Sequence, residues 1–302
     1  MREDKILAVM PVHNRASHTV NSLSRLIGNK SSLYHLDVLV VDDGSTDGTS
    51  ERISQDYPDV ILEKGNGNLW WSGGVNVGLR YALEHRYDYV YIVNDDNVVK
   101  EGALDELYRV AKSDSKNICT SLVLNIDGER ILNAGFNYTG LLKRIRENRR
   151  GQSAEGMEQA MAVDLIGSRS TLAPIECVEK IGLFDAERFP QHYSDLEYFN
   201  RAKENGYRLL VVPSSIVLTK ENTNYLHHYL RQSSITGLIH AFRDIRHPFN
   251  IRTVFYRCYV GRGVIRGTLL LFREMVVHGG WVFLKILLPH SVLRGVIASI
   301  KR

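Results

Sequence analysis

The chain has 302 residues, of which 44% are hydrophobic and 24% charged, with a net charge of +4. This composition predicts one large globular domain, or one domain with a sizeable appendage, and argues against a disordered chain. The three cysteines are scattered without a CxxC pair, so neither a disulfide framework nor a zinc site is expected, and a reducing compartment fits best.

The first 115 residues alternate between short apolar runs and helical patterns. The opening run is too short for a signal peptide. Apolar runs predict strands at 5–10, 37–41, 60–63 and 87–93, and helical spacing predicts helices at 17–27, directly after 42–48, at 73–85 and at 101–111. This alternation predicts an α/β fold, with a mostly parallel sheet covered by helices on both faces.

Beyond residue 115 the pattern is less regular. Apolar runs predict strands at 117–124, 129–136, 162–167 and 208–213, with a polar, arginine-rich loop at 143–153. A helix is expected at 194–205 with Gly206 at its end. Past Tyr225 the pattern predicts helices and no strand.

Polar residues follow three of the predicted strands, at 11–15, 42–47 and 94–97. Turn chemistry alone explains any one of these runs, because Asp, Asn, Ser and Gly favour loops. In parallel sheets, however, ligands bind outside the carboxyl ends of the strands. Three polar runs at one edge therefore favour a binding site.

Two common nucleotide-binding fingerprints are missing. The turn after the first strand reads PVHNRAS and lacks the glycines of GxGxxG, and the chain contains no Walker A motif. These facts disfavour a nicotinamide-dependent enzyme and a P-loop NTPase.

Five motifs, in their order and spacing, resemble the family 2 glycosyltransferases of the GT-A fold. They are VMPVHNR, VVDDGSTDGT, GNLWWSGGVNVGL, DYVYIVNDDNVV and GLFDAERFPQHYSDLEYFNRAKENGYRLLVVPSS, and they span roughly residues 5–220. The resemblance implies a Rossmann-like central sheet. It also implies inverting transfer of a sugar from a nucleoside-diphosphate sugar, with UDP or dTDP favoured, and a Mg²⁺ or Mn²⁺ cofactor.

The resemblance places the cation at Asn94-Asp95-Asp96, where the family has D-x-D. Asp96 takes the second acidic position and is the predicted metal ligand, while Asp95 is expected to act through the ribose or a water. Adjacent carboxylates repel each other, and a divalent cation that also binds phosphate oxygens would remove that repulsion. Asn94 lowers the charge of the site, and a solvated turn is the alternative.

The donor nucleotide is expected at the first two strand ends. Asp43 matches the acid that accepts hydrogen bonds from the nucleobase, and Asp42 is its rival because it could cap the following turn. The wall around base and ribose is predicted to consist of Pro11, His13, Asn14 and Arg15.

The GNLWWSGGVNVGL segment is expected to contact the donor sugar and diphosphate, through Trp70, Trp71, Gly73, Gly74 and Asn76. Core anchoring is the alternative for the two tryptophans. No histidine follows the VVPSSIVL run at the family's distance, since His227 and His228 come later. Lys220 is expected to neutralise phosphate charge instead.

The catalytic base is predicted in the segment HYSDLE. Asp195 matches the family's base, Ser194 replaces the preceding Glu, and Glu197 is the second candidate. A carboxylate within hydrogen-bond reach can deprotonate the attacking hydroxyl, and a base opposite the leaving group implies inversion. Capping of the helix is the alternative role for Ser194 or Asp195.

The end of the chain is basic. Residues 251–302 have a charge balance of +8 and the rest of the chain −4, so two parts with different partners are expected. The interspersed apolar runs predict amphipathic helices on an anionic membrane surface, while a helical bundle or a contact between two copies explains the same pattern. The last run, about 20 residues long, is too interrupted by charge and proline to span a bilayer. Nucleic acid is disfavoured because no matching motif accompanies the basic residues.

These observations predict a catalytic domain over 1–222, with a nucleotide-sugar half at 1–115 and an acceptor half at 116–222, followed by a helical region at 223–302. The expected acceptor is a glycan or lipid-linked glycan of a surface polysaccharide. The expected location is the cytoplasm, either free or peripheral on the inner face of the plasma membrane.

Two other functions stay open. A sugar-nucleotide nucleotidyltransferase shares the sheet pattern, but it needs a glycine-rich loop with arginine after the first strand, and PVHNRAS offers only Arg15. A catalytically inactive binding or scaffold protein is the second, and the departures at Asn94 and Ser194 keep it open.

Overall fold

The structure, a computed structural model, describes residues 2–28, 31–220, 240, 242–245, 247 and 250–287. Contacts divide the chain into two compact units. The first comprises residues 1–139 and 144–221, and the second comprises 140–143 and 222–302. The domain boundaries inferred from the sequence, at 115 and 222, stay predictions.

Within the described residues, a ten-stranded sheet forms the centre of the first unit. Its strands are β1 (Lys5–Val12), β2 (His35–Asp42), β3 (Ile61–Lys64), β4 (Tyr89–Val93), β5 (Asn97–Val99), β6 (Asn117–Asn125), β7 (Ile131–Asn133), β10 (Met161–Ala162), β11 (Ser170–Pro174) and β12 (Arg208–Thr219). The main path runs β10-β12-β6-β11-β4-β1-β2-β3, with β5 on β12 and β7 on β6. β8 (Phe136–Thr139) and β9 (Arg144–Glu147) form a separate antiparallel pair.

The sheet is mostly parallel. β1 pairs in parallel with β2 and β4, β2 with β3, and β12 with β6. Between these groups β11 runs antiparallel to both β4 and β6, and at one end of the main path β10 runs antiparallel to β12. The predicted α/β fold with a mostly parallel sheet is confirmed.

Helices of the first unit cover both faces of the sheet. They are α1 (Ala16–Gly28), α2 (Thr49–Asp56), α3 (Trp70–Glu84), α4 (Ala103–Lys112), α5 (Ile175–Ile181) and α6 (Ser194–Glu204). Side chains alternate across a strand, and in β1 Leu7 and Val9 therefore join a core cluster with α3, α5 and α6. Ile6, Ala8 and Met10 join a second cluster with α1 and α4. A strand buried on both faces reads as a continuous apolar run.

The structure differs from the predicted elements in the second half of this unit. The run at 162–167 contributes only Ala162 to a strand, since Asp164 leaves the sheet to accept hydrogen bonds from the Tyr138 amide and from Lys203. β5, β11 and α5 were not expected, and β9 lies inside the predicted loop 143–153.

The described part of the second unit is helical, with α7 (Ile251–Arg257) and α8 (Gly263–Leu287). The Asn250 side chain caps α7 by accepting hydrogen bonds from the amides of Arg252 and Thr253. None of the described helices is both long enough and apolar enough to cross a bilayer. His227, His228 and the end of the predicted amphipathic segment lie outside the described residues.

Candidate active site

The three polar runs meet at the carboxyl ends of β1, β2 and β4. Val12 and Asp42 are in register at the ends of β1 and β2. The amide of Asn14 donates to Ser45 Oγ (2.8 Å), which joins the first run to the second. Arg15 joins the first run to the third through an ion pair with Asp95.

The acidic pair is neutralised by arginine. Arg15 Nη1 lies 3.1 Å from Asp95 Oδ1 and 3.5 Å from Asp96 Oδ2. Arg169 Nη1 approaches Asp96 Oδ1 from another direction, at 3.9 Å. The sequence predicts Arg15 in the nucleotide wall, but the structure places its guanidinium on the two carboxylates, where opposite charge attracts it.

The same carboxylates have oxygens suited to a cation. Asp95 Oδ2 and Asp96 Oδ1 are buried, and neither has a hydrogen-bond partner among the described residues. Burial raises the pKa of Asp95 to about 6; Asp96 adds to this rise and Arg15 opposes it. Buried carboxylate oxygens without donors fit a divalent cation that takes its other ligands from phosphates and water. In the described chain no three His, Cys, Asp or Glu side chains could hold the ion alone.

Asp43 fixes the loop that leads into α3. Its carboxylate is 7% exposed and accepts hydrogen bonds from the amides of Gly67 (2.8 Å) and Trp70 (3.0 Å). Each oxygen keeps a second lone pair for a ligand. Asp42 caps the next turn, because its carboxylate accepts hydrogen bonds from the Ser45 amide and from Ser50 Oγ.

His13 is held with its ring exposed. Its Nδ1 lies 2.7 Å from the carbonyl oxygen of Asp43, which can only accept, so Nδ1 donates. Asn14 Oδ1 accepts from the Thr46 amide, which turns Asn14 Nδ2 toward His13 Nε2 at 3.0 Å. The ring is thereby fixed in its Nδ1–H tautomer, and its face is free to stack.

The two tryptophans differ in role. Trp71 packs edge-on against Phe184, with ring centroids 5.6 Å apart, and its Nε1 donates to Asn94 Oδ1 (3.1 Å). Trp71 is thus a core anchor that also orients Asn94. Trp70 has φ +56 and is half-buried, with its amide on Asp43. Trp70 therefore stays the candidate of the pair for the predicted contact with a sugar.

The small residues of α3 serve packing. A Cβ on Gly74 would lie 2.9 Å from Cβ of Pro11, and a Cβ on Gly73 would lie 3.1 Å from Cβ of Leu69. The buried Asn76 side chain donates to the carbonyl of Phe184 and accepts from its amide, both at 2.9 Å. Contacts of Gly73, Gly74 and Asn76 with a diphosphate, as predicted, would have to compete with these roles.

Asp195 is half-buried in the first turn of α6. Its Oδ1 accepts a hydrogen bond from the Leu196 amide (2.8 Å), and its Oδ2 lies beside Gly167, where a Cβ would be 3.3 Å away. Burial raises the pKa of Asp195, while His192 and Arg169 act in the opposite direction. Arg169 therefore acts electrostatically on Asp195 as well as on Asp96. Sequence reasoning missed Arg169, which belongs to no motif and precedes the unpredicted β11.

Glu197 has a structural role. Both of its oxygens pair with Arg201, at 2.7 and 3.1 Å, and Arg201 also donates to the carbonyls of Ile181 and Leu183. A base engaged in this way is not available to a substrate, so the second candidate is disfavoured on physical grounds. Ser194 is buried, and its Oγ has no partner in the described part of the chain.

Lys220 stands at the same edge of the sheet. It is exposed and directly follows Thr219, whose Oγ1 donates to the carbonyl of Asp96 (3.3 Å). Thr219 also pairs with Asn97 across β12 and β5. The position suits contact with an anionic ligand.

The family model described as Glycosyl transferase family 2 matches residues 7–162. The chain is 27% identical over 143 residues to Glycosyltransferase GlyG of Streptococcus pneumoniae serotype 4, covering 45% of this chain and 44% of that protein. It is 23% identical over 211 residues to Low-salt glycan biosynthesis hexosyltransferase Agl10 of Haloferax volcanii, covering 67% and 63%. The matched region thus spans less than two thirds of either relative.

Solved structures with the same fold include mannosyltransferase PcManGT from Pyrobaculum calidifontis in complex with GDP-Man and Mn²⁺. Its TM-score is 0.59 at 14% identity, covering 99% of this chain and 81% of that one. A second is GalNAc-T7 with UDP, GalNAc and Mn²⁺, with TM-score 0.58 at 13% identity, covering 72% and 44%.

Proposed function

The chain belongs to glycosyl transferase family 2, and on that premise we propose that it transfers a hexosyl or deoxyhexosyl unit, with inversion, from a nucleoside-diphosphate sugar to a hydroxyl group of a glycan or lipid-linked glycan. UDP and dTDP sugars are the favoured donors. The observation that carries the proposal is a pair of buried oxygens, one on Asp95 and one on Asp96, that have no hydrogen-bond partner among the described residues. Arg169 lies close to Asp96 and also acts electrostatically on Asp195.

In the proposed donor site, Asp96 holds Mg²⁺ or Mn²⁺ and Asp95 lies beside it. When bound, the cation neutralises the diphosphate charge. Both solved neighbours described above contain Mn²⁺, which supports this part of the proposal. The exposed ring of His13 stacks on the nucleobase, and the free lone pairs of Asp43 accept from it. Trp70 covers the sugar, while Lys220 and Arg15 attract the diphosphate.

In the proposed transfer, Asp195 accepts the proton of the acceptor hydroxyl. The hydroxyl oxygen forms a bond to the anomeric carbon as the bond from that carbon to the diphosphate breaks, and the electron pair leaves with the nucleoside diphosphate. Attack from the face opposite the leaving group inverts the configuration. Arg169 acts electrostatically on both the base and the acidic pair, and its charge stabilises negative charge at either site.

We also propose that the second unit meets an anionic membrane surface at the inner face of the plasma membrane. Ile265, Leu269, Phe272 and Val276 of α8 recur at helical spacing and are all more than half exposed. The region also has a large positive charge balance. An amphipathic basic helix binds such a surface through both properties.

The first experiment is calorimetric titration of UDP, dTDP, GDP and CMP, each with and without Mn²⁺, into the wild type and Asp96→Ala. Mn²⁺-dependent binding of one diphosphate, lost in the variant, is expected. Binding that depends neither on Mn²⁺ nor on Asp96 would contradict the proposed cation site. It would indicate that Arg15 or Lys220 neutralises the diphosphate charge in place of a cation. If no nucleotide binds, the transferase proposal fails in favour of an inactive binding protein.

A further inference from the structure

A cleft lies at the start of α6, the helix that carries the proposed base, within the first unit. It has a volume of about 610 Å³ and is bounded by β8, β9, the loop at 149–152 and the start of α6. Sites for small molecules usually measure about 300–1,000 Å³. Tyr193 and Leu196, which flank Asp195 in the sequence, line one side of the cleft.

The walls of this cleft are fixed by hydrogen bonds. Tyr138 OH in β8 donates to Asn200 Oδ1 in α6 (3.0 Å), which ties the strand pair to the helix. The loop is tied to β7, where the amide of Ile131 donates to the carbonyl of Gln152 and the amide of Gly151 donates to the carbonyl of Ile131. A preformed site of this kind needs little reorganisation when a ligand binds.

The charge of the cleft is positive. Arg146, Arg149 and Arg150 line it together with a single acid, Glu147. Glu147 pairs with Arg150 at 2.8 Å. Among the described residues, Arg149 donates to uncharged acceptors alone, namely the Gln152 side chain and the carbonyls of Ser153 and Glu155. In the part of the chain that the structure describes, neither Arg146 nor Arg149 has a carboxylate partner, so two positive charges face the cleft uncompensated.

Two guanidinium groups in a preformed cleft recognise an anion, because arginine binds carboxylate and phosphate oxygens through paired, charge-assisted hydrogen bonds. We propose that the cleft is the acceptor subsite, and that the acceptor is anionic. A phosphate or carboxylate group lies between Arg146 and Arg149 while a hydroxyl of the same molecule meets Asp195. This inference rests on the proposed glycosyl transfer.

The anion can belong to a diphosphate-linked lipid carrier or to an acidic sugar, and two probes distinguish these sources. n-Decyl diphosphate represents the first and a hyaluronan tetrasaccharide the second, with cellotetraose as the neutral comparison. Each is titrated into the wild type, the double variant Arg146→Gln/Arg149→Gln and the control Arg144→Gln. Arg144 is exposed on the same strand and does not line the cleft.

One anionic probe is expected to bind the wild type at least about tenfold more tightly than cellotetraose, since only an anion makes charge-assisted hydrogen bonds to the two guanidinium groups. The double Gln variant should lose this preference, whereas Arg144→Gln should change the affinity less than about twofold, because Arg144 does not line the cleft. Arg146→Lys/Arg149→Lys retains the charge but not the paired hydrogen bonds, so its affinity should lie between those of the wild type and the double Gln variant, which separates recognition of the anion from damage to the fold.

Two results would overturn the proposal. One is equal affinity of the wild type for all three probes. The other is diphosphate binding that persists in the double Gln variant and disappears in Asp96→Asn, which would assign it to the donor site. Nucleotide binding by the double Gln variant is measured in parallel and should equal that of the wild type. If nucleotide binding is missing from the wild type as well, the glycosyltransferase proposal fails, independently of the cleft.

Discussion

Asp95 is an ionisable residue whose burial has a consequence for stability. Its pKa is raised from an ordinary 3.8 to about 6, so the folded chain holds a proton more tightly than the unfolded chain. The contribution of protonated Asp95 to the free energy of unfolding is therefore fully present below about pH 4, and it is lost as the pH rises through 6. Without a cation, the ionised Asp95 therefore costs the folded state free energy at neutral pH.

We predict that Asp95→Asn stabilises the metal-free protein at pH 8 by about 1–3 kcal/mol, because one pKa unit corresponds to about 1.4 kcal/mol. At pH 4 the difference should vanish. Urea unfolding in EDTA at the two pH values measures it. The control is Asp59→Asn, which changes an exposed acid and should alter the free energy of unfolding by less than about 0.5 kcal/mol. An equal increase in the free energy of unfolding at both pH values would show that the effect does not come from the ionisation of Asp95.

Asp195 and Glu197 are two residues apart, and substitutions at the two positions are expected to have different effects, one on the transfer rate and the other on stability. Asp195→Asn should reduce the transfer rate about 100-fold or more, because the hydroxyl proton loses its acceptor, and nucleotide affinity should stay unchanged. Glu197→Gln should instead lower the free energy of unfolding by about 1–3 kcal/mol, since it leaves Arg201 with an uncompensated charge. Nucleotide-sugar turnover and urea unfolding of both variants separate the two roles; an active Asp195→Asn enzyme would exclude it as base.

The pH dependence of turnover follows from the same residue. A general base must be ionised, and burial raises the pKa of Asp195 above its ordinary 3.8. Turnover should therefore fall as the pH decreases, with a midpoint above pH 4. A rate that stays constant down to pH 4 would show that a different group accepts the proton.

At the scale of elements, α3 lies unusually close to β1. A Cβ on Gly78 would stand 2.2 Å from Cγ1 of Val9, a distance that requires the helix or the strand to move. The helix contacts the strand through glycines, and the N-terminal end of α3, about two turns from Gly78, brings Trp70 and the Asp43 loop to the site. The position of the proposed sugar contact thus depends on a helix–strand distance.

We predict that Gly78→Ala lowers the free energy of unfolding by about 1–3 kcal/mol, the usual cost of overpacking a core. The matched control is Gly28→Ala at the end of α1, where a Cβ meets nothing within 4 Å. Alanine there should be neutral or stabilise by up to about 1 kcal/mol. Urea unfolding compares the two; equal effects would argue against a close α3–β1 contact.

The predictable elements were those with a strong local signal. β1, β2 and β4 are buried on both faces and read as continuous apolar runs, and the acids that follow them lie where parallel strands end. β11 gave no such signal, because STLAP is short and mixed, and only its neighbours β4 and β6 make it a strand. Arg169, next to β11, was missed for that reason. The pairing of Arg15 with Asp95 joins distant parts of the chain, so no local pattern could indicate it.

At the scale of the whole molecule, the charge is divided between two parts with different chemistry. The full chain should sediment with phosphatidylglycerol-containing vesicles at about 0.1 M salt and be released at higher salt, where charges are screened. Leu269→Ser/Phe272→Ser should weaken this binding. Leu141→Ser, which changes another exposed leucine of the second unit, should not. Equal sedimentation with phosphatidylcholine alone would contradict a role for the basic charge.

The position of β11 also bears on how the protein is made. β11 pairs with β4, yet it follows that strand by about 80 residues, so the ribosome needs roughly 4–16 s to supply it at about 5–20 residues per second. During that interval the apolar strand Tyr89–Val93 has an open edge, and its unpaired backbone groups can pair with another chain. A fragment ending at residue 162 would keep this edge permanently and should aggregate on expression.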